Sequence, residues 1–383
     1  MMLLDRGELR NLMEFRAKEG NKILTLYLNI DPLKPSNARG GFKVVLQELL
    51  NKAEKQAESQ KEEGLFAQER SLIERYVEHL IPKQKTLVAF LDTEDGLQVM
   101  EQLPVEIPNQ VYFRDYPVLR PILELLDSSE TYLLCSLDRE KARFLRLFLG
   151  TVTELKEISS QPPVKHRQTS GTDHMRSQMV LQRRAAAWSN RFLKEAAEEA
   201  WDLYEKHAID QLILAGTEEA VSEFRRILPR NLSQRIIGQV KLPTNAKPQD
   251  IMEACYFIIK EREQRAEEAL VTDLVTSAQK GDKAVLGVNA TINAINEGRV
   301  YLLIYPNGYS IEGFRCSLCE VILDHIPQDG KCPYCQERCH SIENLILEAS
   351  EKVFEIGGKV IAIKEPVQIE KLVNSGILGA FLR

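Results

Sequence analysis

The chain has 383 residues, of which 44% are hydrophobic and 28% charged, and its formal charge is −6. This composition is typical of globular proteins and excludes a protein that coats nucleic acid over its whole surface, while the length predicts two or three domains. No apolar run approaches the roughly 18 residues of a membrane span, and the N-terminal sequence lacks the pattern of a secretory signal. We therefore expect a cytoplasmic protein without membrane association, whose seven cysteines are thiols or metal ligands.

The first third of the chain carries strand and helix patterns. The apolar sequence ILTLYLNI predicts a buried strand at 23–30. A turn at 39–42 and an amphipathic helix follow, and a second helix is predicted at 65–80. An Asp-Gly turn signal between KTLVAFLD and GLQVMEQLP predicts a β-hairpin. The first domain is predicted to end near residue 127.

A second pattern begins near residue 128. The sequences TYLLCSLD and ARFLRLFLG predict paired strands, and TVTELKEIS predicts a third. A long helix is predicted at about 177–207, because apolar residues recur there at spacings of three and four. This apolar stripe consists of Leu181, Ala185, Trp188, Phe192, Ala196, Ala200 and Leu203. The strands QLILAG and IIGQVKLP flank a further helix, and this alternation indicates an α/β layer domain.

A third region is predicted to start near residue 265, after a helix of roughly 248–279. The sequence AVLGVNATINAINEG predicts a helix that ends at Gly298, because glycine is the commonest C′ residue. RVYLLIY and GKVIAIK predict strands, and SIENLILEASEKVFEIG predicts a helix between them.

Two cysteine pairs in this region have the spacing of a zinc site. Cys316 and Cys319 form one C-x-x-C motif, and Cys332 and Cys335 form another twelve residues later. Each motif places two thiolates on one tight turn, and four thiolates complete a tetrahedron around Zn²⁺. Such a set leaves no open coordination position, so it predicts a structural metal rather than a catalytic one. Cys339 and His340 follow closely and are alternative ligands, whereas Cys135 and Cys255 have apolar neighbours and are predicted to be buried core residues.

A basic window over residues 161–194 reverses the sign of the chain's charge. Seven Lys and Arg residues face one acid, Asp173, which gives a local charge of +6. The cationic residues are Lys165, Arg167, Arg176, Arg183, Arg184, Arg191 and Lys194, with His166 beside them. If Ser177 caps the long helix, Arg183 and Arg184 lie in its first two turns, where the helix dipole disfavours cations. This arrangement gives weight to a site for polyanions such as RNA phosphates, but the charge pattern alone leaves a solvated helix face with a disordered loop open as the alternative.

Several of these motifs, in their order along the chain, resemble the archaeo-eukaryotic class-1 peptide release factors and Pelota. The likeness is nearest to the bacterial branch of that superfamily, which includes the hibernation factor Balon. It rests on SLDREKARFLRLFLGTVTEL, on VKH followed by a Gly/Ser/Thr loop and a basic helix, and on INEGRVYLLIY with the cysteine pairs and SGILGAFLR. The resemblance implies an N-terminal α+β domain (1–127), a central RNase-H-like α/β domain (128–264) with a basic loop at 164–178, and a C-terminal α/β domain (265–383) with a zinc knuckle at 316–335.

The departures from this superfamily concern its chemistry. Members that release peptide carry Gly-Gly-Gln at the loop tip, whereas this loop reads RQTSGTDHMRSQ, and the stop-codon motif Asn-Ile-Lys-Ser is also absent. The resemblance therefore implies a factor that occupies the aminoacyl-tRNA site of the ribosome without catalysis, in hibernation, rescue or quality control. Its loop residues Lys165, His166, Arg167 and Arg176 would contact ribosomal RNA. Its third domain would contact a translational GTPase such as elongation factor Tu.

Three alternatives remain open at this stage. The first is a peptidyl-tRNA hydrolase that uses Gln168 or Gln178 of the loop, or a histidine. The second is a nuclease, because RNase-H-like domains often cut RNA with clustered carboxylates and Mg²⁺, although the strands offer only Asp138 and Glu140. The third is an interaction scaffold without a ribosomal role. A Ser-His-Asp triad from the loop is disfavoured, because Ser170, Asp173 and two histidines crowd one short segment.

Overall fold

The computed structural model describes residues 6–18, 21–54, 60–138, 140–160, 174–326 and 330–383, and for 6–8, 10, 60–61 and 174–189 it describes the backbone alone. The described parts of residues 1–128 and 267–383 form one unit, and residues 129–266 form the other. The division into three domains at 127/128 and 264/265 remains a prediction. Among the described helices, none combines the length and apolarity that crossing a bilayer requires.

The N-terminal part of the first unit is a four-stranded antiparallel sheet with helices. Its elements are α1 (Arg6–Glu14), β1 (Ile23–Asn29), α2 (Phe42–Glu54), α3 (Gln60–Glu78), β2 (Thr86–Asp92), β3 (Leu97–Leu103), β4 (Gln110–Arg114) and α4 (Arg120–Ser128). The strand order is β3-β2-β1-β4, and β2 and β3 form the predicted hairpin. Every residue of the inner strands β1 and β2 is buried, which explains why both are continuous apolar runs.

The second unit is built on a five-stranded mixed sheet. Its elements are β5 (Tyr132–Leu137), β6 (Lys141–Phe148), β7 (Thr151–Ser159), α5 (His174–Lys206), β8 (Gln211–Gly216), α6 (Glu218–Ile227), α7 (Arg230–Ser233), β9 (Ile236–Val240) and α8 (Pro248–Lys280), the last of which continues into the first unit. The order is β7-β6-β5-β8-β9, with β5, β6 and β7 antiparallel and β5, β8 and β9 parallel. This is the RNase-H-like α/β arrangement expected for the central region.

The C-terminal part of the first unit holds a mixed sheet and a small second sheet. Its elements are β10 (Ala284–Leu286), α9 (Val288–Asn296), β11 (Val300–Pro306), β12 (Gly313–Cys316), β13 (Ile322–Leu323), β14 (Cys339–Ile342), α10 (Leu345–Glu355), β15 (Lys359–Ile363), α11 (Pro366–Asn374) and β16 (Gly379–Leu382). The larger sheet has the order β10-β16-β11-β15, and the small sheet has the order β13-β12-β14. The multidomain α/β and α+β fold class predicted from the sequence is confirmed.

One predicted helix is shorter than the sequence pattern indicates. Its first residues, Ala284–Leu286, form β10 and pair with β16, and the helix begins only at Val288. Gly287 separates the two elements with a φ of 95°, a conformation that ends the strand. The predicted helix end is correct, because Gly298 follows the last turn with a φ of 70°. Strand pairing across the sheet has thus overridden the local helical pattern.

A polar network joins the N-terminal and C-terminal parts of the first unit. The Tyr116 hydroxyl donates to Glu351 Oε2 at 2.8 Å. Glu348 is the centre of the network, because its two carboxylate oxygens accept from Arg114 at 3.4 Å and from Arg315 at 2.7 Å. The Glu348 side chain is only 8% exposed. One buried carboxylate therefore balances the charge of Arg114 and is the nearer of two partners of Arg315, whose guanidinium group also lies 3.6 Å from Glu320.

We expect Glu348→Ala to lower the free energy of unfolding by about 1–3 kcal/mol, because it removes the carboxylate that pairs with Arg114 and the nearer of the two that pair with Arg315. Urea unfolding followed by circular dichroism measures this loss. Glu355→Ala is the matched control, since that side chain is exposed on the same helix; its effect should stay within about 0.5 kcal/mol. Equal stability of the two variants would contradict a role for Glu348 in joining the two parts.

Candidate functional site

The four cysteines of the two C-x-x-C motifs meet in one cluster. All four sulfur atoms lie within 4.8 Å of one another. The Sγ atoms of Cys316 and Cys335 are 3.3 Å apart, and those of Cys319 and Cys332 are 3.5 Å apart. A tetrahedral Zn²⁺ with Zn–S bonds of about 2.3 Å separates its sulfur ligands by roughly 3.8 Å. The cluster therefore has the ligand types and nearly the spacing that a four-thiolate metal site requires, and these two sulfur pairs would move apart by only a few tenths of an ångström to hold an ion.

The two cysteine loops share one backbone pattern. The Cys316 amide donates to the Val321 carbonyl at 3.0 Å, and the Cys332 amide donates to the Glu337 carbonyl at 2.7 Å. Each of these bonds spans five residues and closes its C-x-x-C motif into a tight turn. The residue after the second cysteine has a positive φ in both loops. The two cysteine pairs thus lie on two equivalent turns, which bring their four sulfur atoms together.

Backbone amides also favour thiolates in these turns. The N–H groups of Cys319 and Leu318 lower the pKa of Cys316 to about 6. For Cys332, burial raises the pKa, but the two equivalent N–H groups of the second turn outweigh it and lower the pKa overall. Metal ligation requires the deprotonated sulfur. The first cysteine of each pair is therefore already prepared for this role by its own loop.

The cluster is attached to the core of the first unit through the small sheet. Ile322 in β13 is fully buried. The Asn296 side chain forms hydrogen bonds with both the backbone carbonyl and the backbone amide of Ile322. Asn296 Nδ2 donates to the Ile322 carbonyl at 2.7 Å, and the Ile322 amide donates to Asn296 Oδ1 at 3.2 Å. No local pattern marks Asn296 in the sequence, because its partner lies 26 residues further along.

The alternative ligands lie beside the cluster rather than in it. Cys339 is the strand partner of Cys316, but it does not belong to the group of four sulfur atoms. Burial and the neighbouring thiols raise its pKa to about 11. His340 is exposed, and its Nδ1 lies 3.5 Å from the hydroxyl of Ser317. The ligand set that the described residues support is therefore the four predicted cysteines. This set has no open position for a substrate.

The two remaining cysteines are buried, as predicted. Cys135 and Cys255 are both 0% exposed. Burial raises the pKa of Cys255 to about 11 and raises that of Cys135 still further. Neither thiol is suited to nucleophilic chemistry, because the reactive form of cysteine is the thiolate.

The basic window lies only partly within the described residues. Lys165, His166 and Arg167 fall outside them. Helix α5 begins at His174, so the prediction that Ser177 caps it is wrong. The last five residues of the predicted loop are therefore helical. Arg176 is in the first turn, where the dipole argument applies, and Arg183 and Arg184 follow in the third. Their side chains lie outside the described part, whereas Arg191 is described and exposed.

The second half of α5 is fixed on the sheet of the second unit. Phe192, Ala196, Ala200 and Leu203 are all buried and pack in one cluster with residues of β5 and β8. These are the members of the predicted apolar stripe whose side chains are described. Because one face of the helix is buried, Arg191 and Lys194 are directed to solvent.

A family model identifies the central segment. The model of bacterial archaeo-eukaryotic release factor family 10 matches residues 117–256. This segment belongs to the archaeo-eukaryotic release factor superfamily. We call residues 117–256 the release factor segment. It contains α4, the five-stranded RNase-H-like sheet, helices α5 to α7 and the beginning of α8.

Solved structures with similarity to the chain include three archaeal ones. The archaeal translation termination factor aRF1 is 17% identical, over 98% of this chain and 96% of its own, with a TM-score of 0.28. Archaeoglobus fulgidus Pelota is 16% identical over 78% of both chains, with a TM-score of 0.35. A ribosome-bound archaeal Pelota, described together with ABCE1, is 14% identical over 77% of this chain and 75% of its own, with a TM-score of 0.40. The superfamily assignment depends on the family model alone.

The release factor segment does not assemble a nuclease centre among its described residues. Asp138 stabilises a hairpin turn, since its Oδ1 accepts from the amides of Glu140 and Lys141, both at 2.8 Å. Its Oδ2 accepts from the Thr244 hydroxyl at 2.9 Å. Across the described chain, the cysteine cluster is the one group of His, Cys, Asp and Glu with the spacing of a metal site. Asp138 is therefore a structural residue.

Proposed function

We propose that the protein is a release-factor-like factor that binds the ribosome in the aminoacyl-tRNA site and does not cleave the peptidyl-tRNA ester. Hibernation, rescue and quality control are the roles that this activity would serve. The observation that carries the proposal is the match of residues 117–256 to the release factor family, in a sequence without a Gly-Gly-Gln triplet. The scaffold of the family is present, while the residues of its ester hydrolysis are missing.

In this proposal, the basic window supplies the contact with ribosomal RNA. Helix α5 has its second half packed on the core and carries Arg176, Arg183, Arg184 and Arg191 toward its other end. A helix of 33 residues extends roughly 50 Å, so it can present the preceding loop far from the sheet. Lys165, His166 and Arg167 of that loop would neutralise phosphates near the peptidyl-transferase centre. The role of these residues is charge neutralisation and positioning.

The cysteine cluster has a structural part in the same proposal. Zn²⁺ is the ion we assign to Cys316, Cys319, Cys332 and Cys335, because four thiolates in tight turns are its preferred structural site. The ion would hold together a small sheet that has little core of its own. The C-terminal part that carries this sheet would contact a translational GTPase, such as elongation factor Tu, by analogy with the superfamily.

Hydrolysis by a loop glutamine is the alternative, and the structure gives it no support. Gln178 lies inside α5 rather than in the loop, so it is held in regular backbone. Gln168 lies outside the described residues. Neither follows two glycines, which in the superfamily allow the backbone to approach the ester closely.

Ribosomes that hold labelled peptidyl-tRNA separate these two functions. We expect the purified protein to co-sediment with such ribosomes and to release no peptide above the buffer control. Stable binding without release supports the proposal. Peptide release that is lost in Gln168→Ala or Gln178→Ala would instead establish the hydrolase, and absence of co-sedimentation at low salt would refute ribosome binding altogether.

A further inference from the structure

A second cationic surface lies on the release factor segment, outside the basic window. The sequence RRILPRNLSQR at 225–235 contains four arginines and no acidic residue. It comprises the end of α6, the one-turn helix α7 and the residues that lead into β9. The local charge of +4 is again opposite in sign to the charge of the whole chain.

Buried neighbours fix the direction of these arginines. Phe224, Leu228 and Leu232 are 0%, 6% and 0% exposed and pack into the core of the second unit. The backbone is also held at the end of the segment, because the Leu212 amide donates to the Arg235 carbonyl at 2.8 Å. The side chains between these anchors are left in solvent. We call Arg225, Arg226, Arg230 and Arg235, all of them exposed, the arginine face.

The arginine face is unpaired within the part of the chain that the structure describes. None of its four guanidinium groups has a carboxylate partner there, whereas Arg143 and Arg262 of the same unit pair with Glu154 at 2.6 Å and with Glu130 at 2.7 Å. The dipole of α6 favours cations in its last turn and accounts for Arg225 and Arg226. It does not account for Arg230, at the start of α7, or for Arg235 beyond it.

A groove connects this face with the end of the basic window. Its volume is about 540 Å³, and Lys194 of α5, Trp201 and Arg230 are among the residues that line it. Glu198 and Asp202 also line the groove, so a polyanion would contact the cationic rim rather than enter fully. Arg191 lies one turn before Lys194 on α5, which makes the cationic rim continuous with the basic window.

We propose that the arginine face binds the phosphodiester backbone of folded RNA, as a second contact surface beside the basic window. Arginine is suited to this partner, because its planar guanidinium group makes paired hydrogen bonds to phosphate oxygens. The backbone that carries the four arginines is already held by its buried neighbours, so binding has to order their side chains but not the backbone. The choice of RNA among polyanions rests on the proposed function, whereas the existence of the face does not.

Fluorescence anisotropy with a short fluorescein-labelled RNA hairpin tests the arginine face. At about 0.1 M salt, two phosphate contacts contribute roughly 25- to 60-fold to affinity through counterion release. We therefore expect the double variant Arg226→Glu and Arg230→Glu to bind the hairpin at least about 25-fold more weakly. The slope of log affinity against log salt should become shallower by roughly 1.4–1.8.

The control changes the same net charge elsewhere. Lys52 and Arg75 are exposed, and neither has an ion-pair partner within the described residues, so Lys52→Glu with Arg75→Glu should leave hairpin affinity within about threefold. Equal losses in both variants, or unchanged binding in the first, would overturn the proposal. Binding of labelled poly-glutamate as tightly as the hairpin would also overturn it, in favour of an acidic protein partner. Co-sedimentation with ribosomes is measured in a separate experiment. Failure of the proposed ribosome binding can therefore be distinguished from failure of the arginine face to bind RNA.

Discussion

Replacing Arg176, Arg183 and Arg184 together by Glu is expected to abolish co-sedimentation with ribosomes. If each arginine neutralises one phosphate, the three contacts contribute roughly 100- to 500-fold to affinity at about 0.1 M salt. Charge reversal adds repulsion to that loss. The measurement is a sedimentation series from low to moderate salt. Wild-type binding should weaken steeply as salt rises, because counterion release makes phosphate contacts salt-sensitive.

A triple reversal of Lys52, Arg75 and Lys83 provides the matched control. These three residues are exposed on the N-terminal part of the first unit, and the reversal changes the net charge by the same amount. We expect this variant to sediment with ribosomes like the wild type. Similar binding by both triple variants across the whole salt series would show that the basic window does not contact ribosomal RNA.

Cys332→Ser is expected to remove the metal and to unfold the cysteine loops. Structural zinc contributes on the order of 10 kcal/mol of local folding free energy in small metal-dependent domains. The cysteine loops depend on it, because the sheet β13-β12-β14 that carries them has strands of only two to four residues. Metal analysis of the purified protein should find one zinc ion per wild-type chain and none in the variant. Limited proteolysis should cut the variant between Cys316 and Cys339.

The neighbours of the cluster supply the control for this experiment. Cys339→Ser and His340→Ala should each retain the zinc ion, because neither side chain belongs to the group of four sulfur atoms. If either variant lost zinc while Cys332→Ser retained it, Cys339 or His340 would be a ligand in place of Cys332. A wild-type protein that takes up no zinc from supplemented medium would refute the metal assignment.

The sequence patterns with a strong physical cause predicted most of the fold. Buried strands such as β1 and β2 are visible because both of their faces must be apolar. The cysteine pairs are visible because metal ligation restricts spacing on a tight turn. The buried half of α5 is visible because Phe192 and its neighbours recur with the helical period.

The features that the sequence did not predict depend on partners that are distant along the chain. The sequence of β10 has a helical pattern, and only its pairing with β16 makes it a strand. The hydrogen bonds of Asn296 to Ile322 have no local signature in the sequence. The sequence predicts the start of α5 three residues too late, because serine is a favoured capping residue and Ser177 therefore marks the predicted helix start. The arginine face could have been found from its composition, but its exposure and lack of partners required the structure.

The polar network that joins Arg114 and Tyr116 to Glu348 and Glu351 has a consequence for biosynthesis. Residues 1–128 leave the translating ribosome before their packing partners at 267–383 have been made. At roughly 5–20 residues per second, the intervening segment alone takes about 7–28 s to synthesise. During that delay, the face that later contacts Glu348 and Glu351 is open to water and to other nascent chains. A chaperone that covers this face co-translationally would therefore raise the yield of folded protein, and a truncation before residue 267 should aggregate.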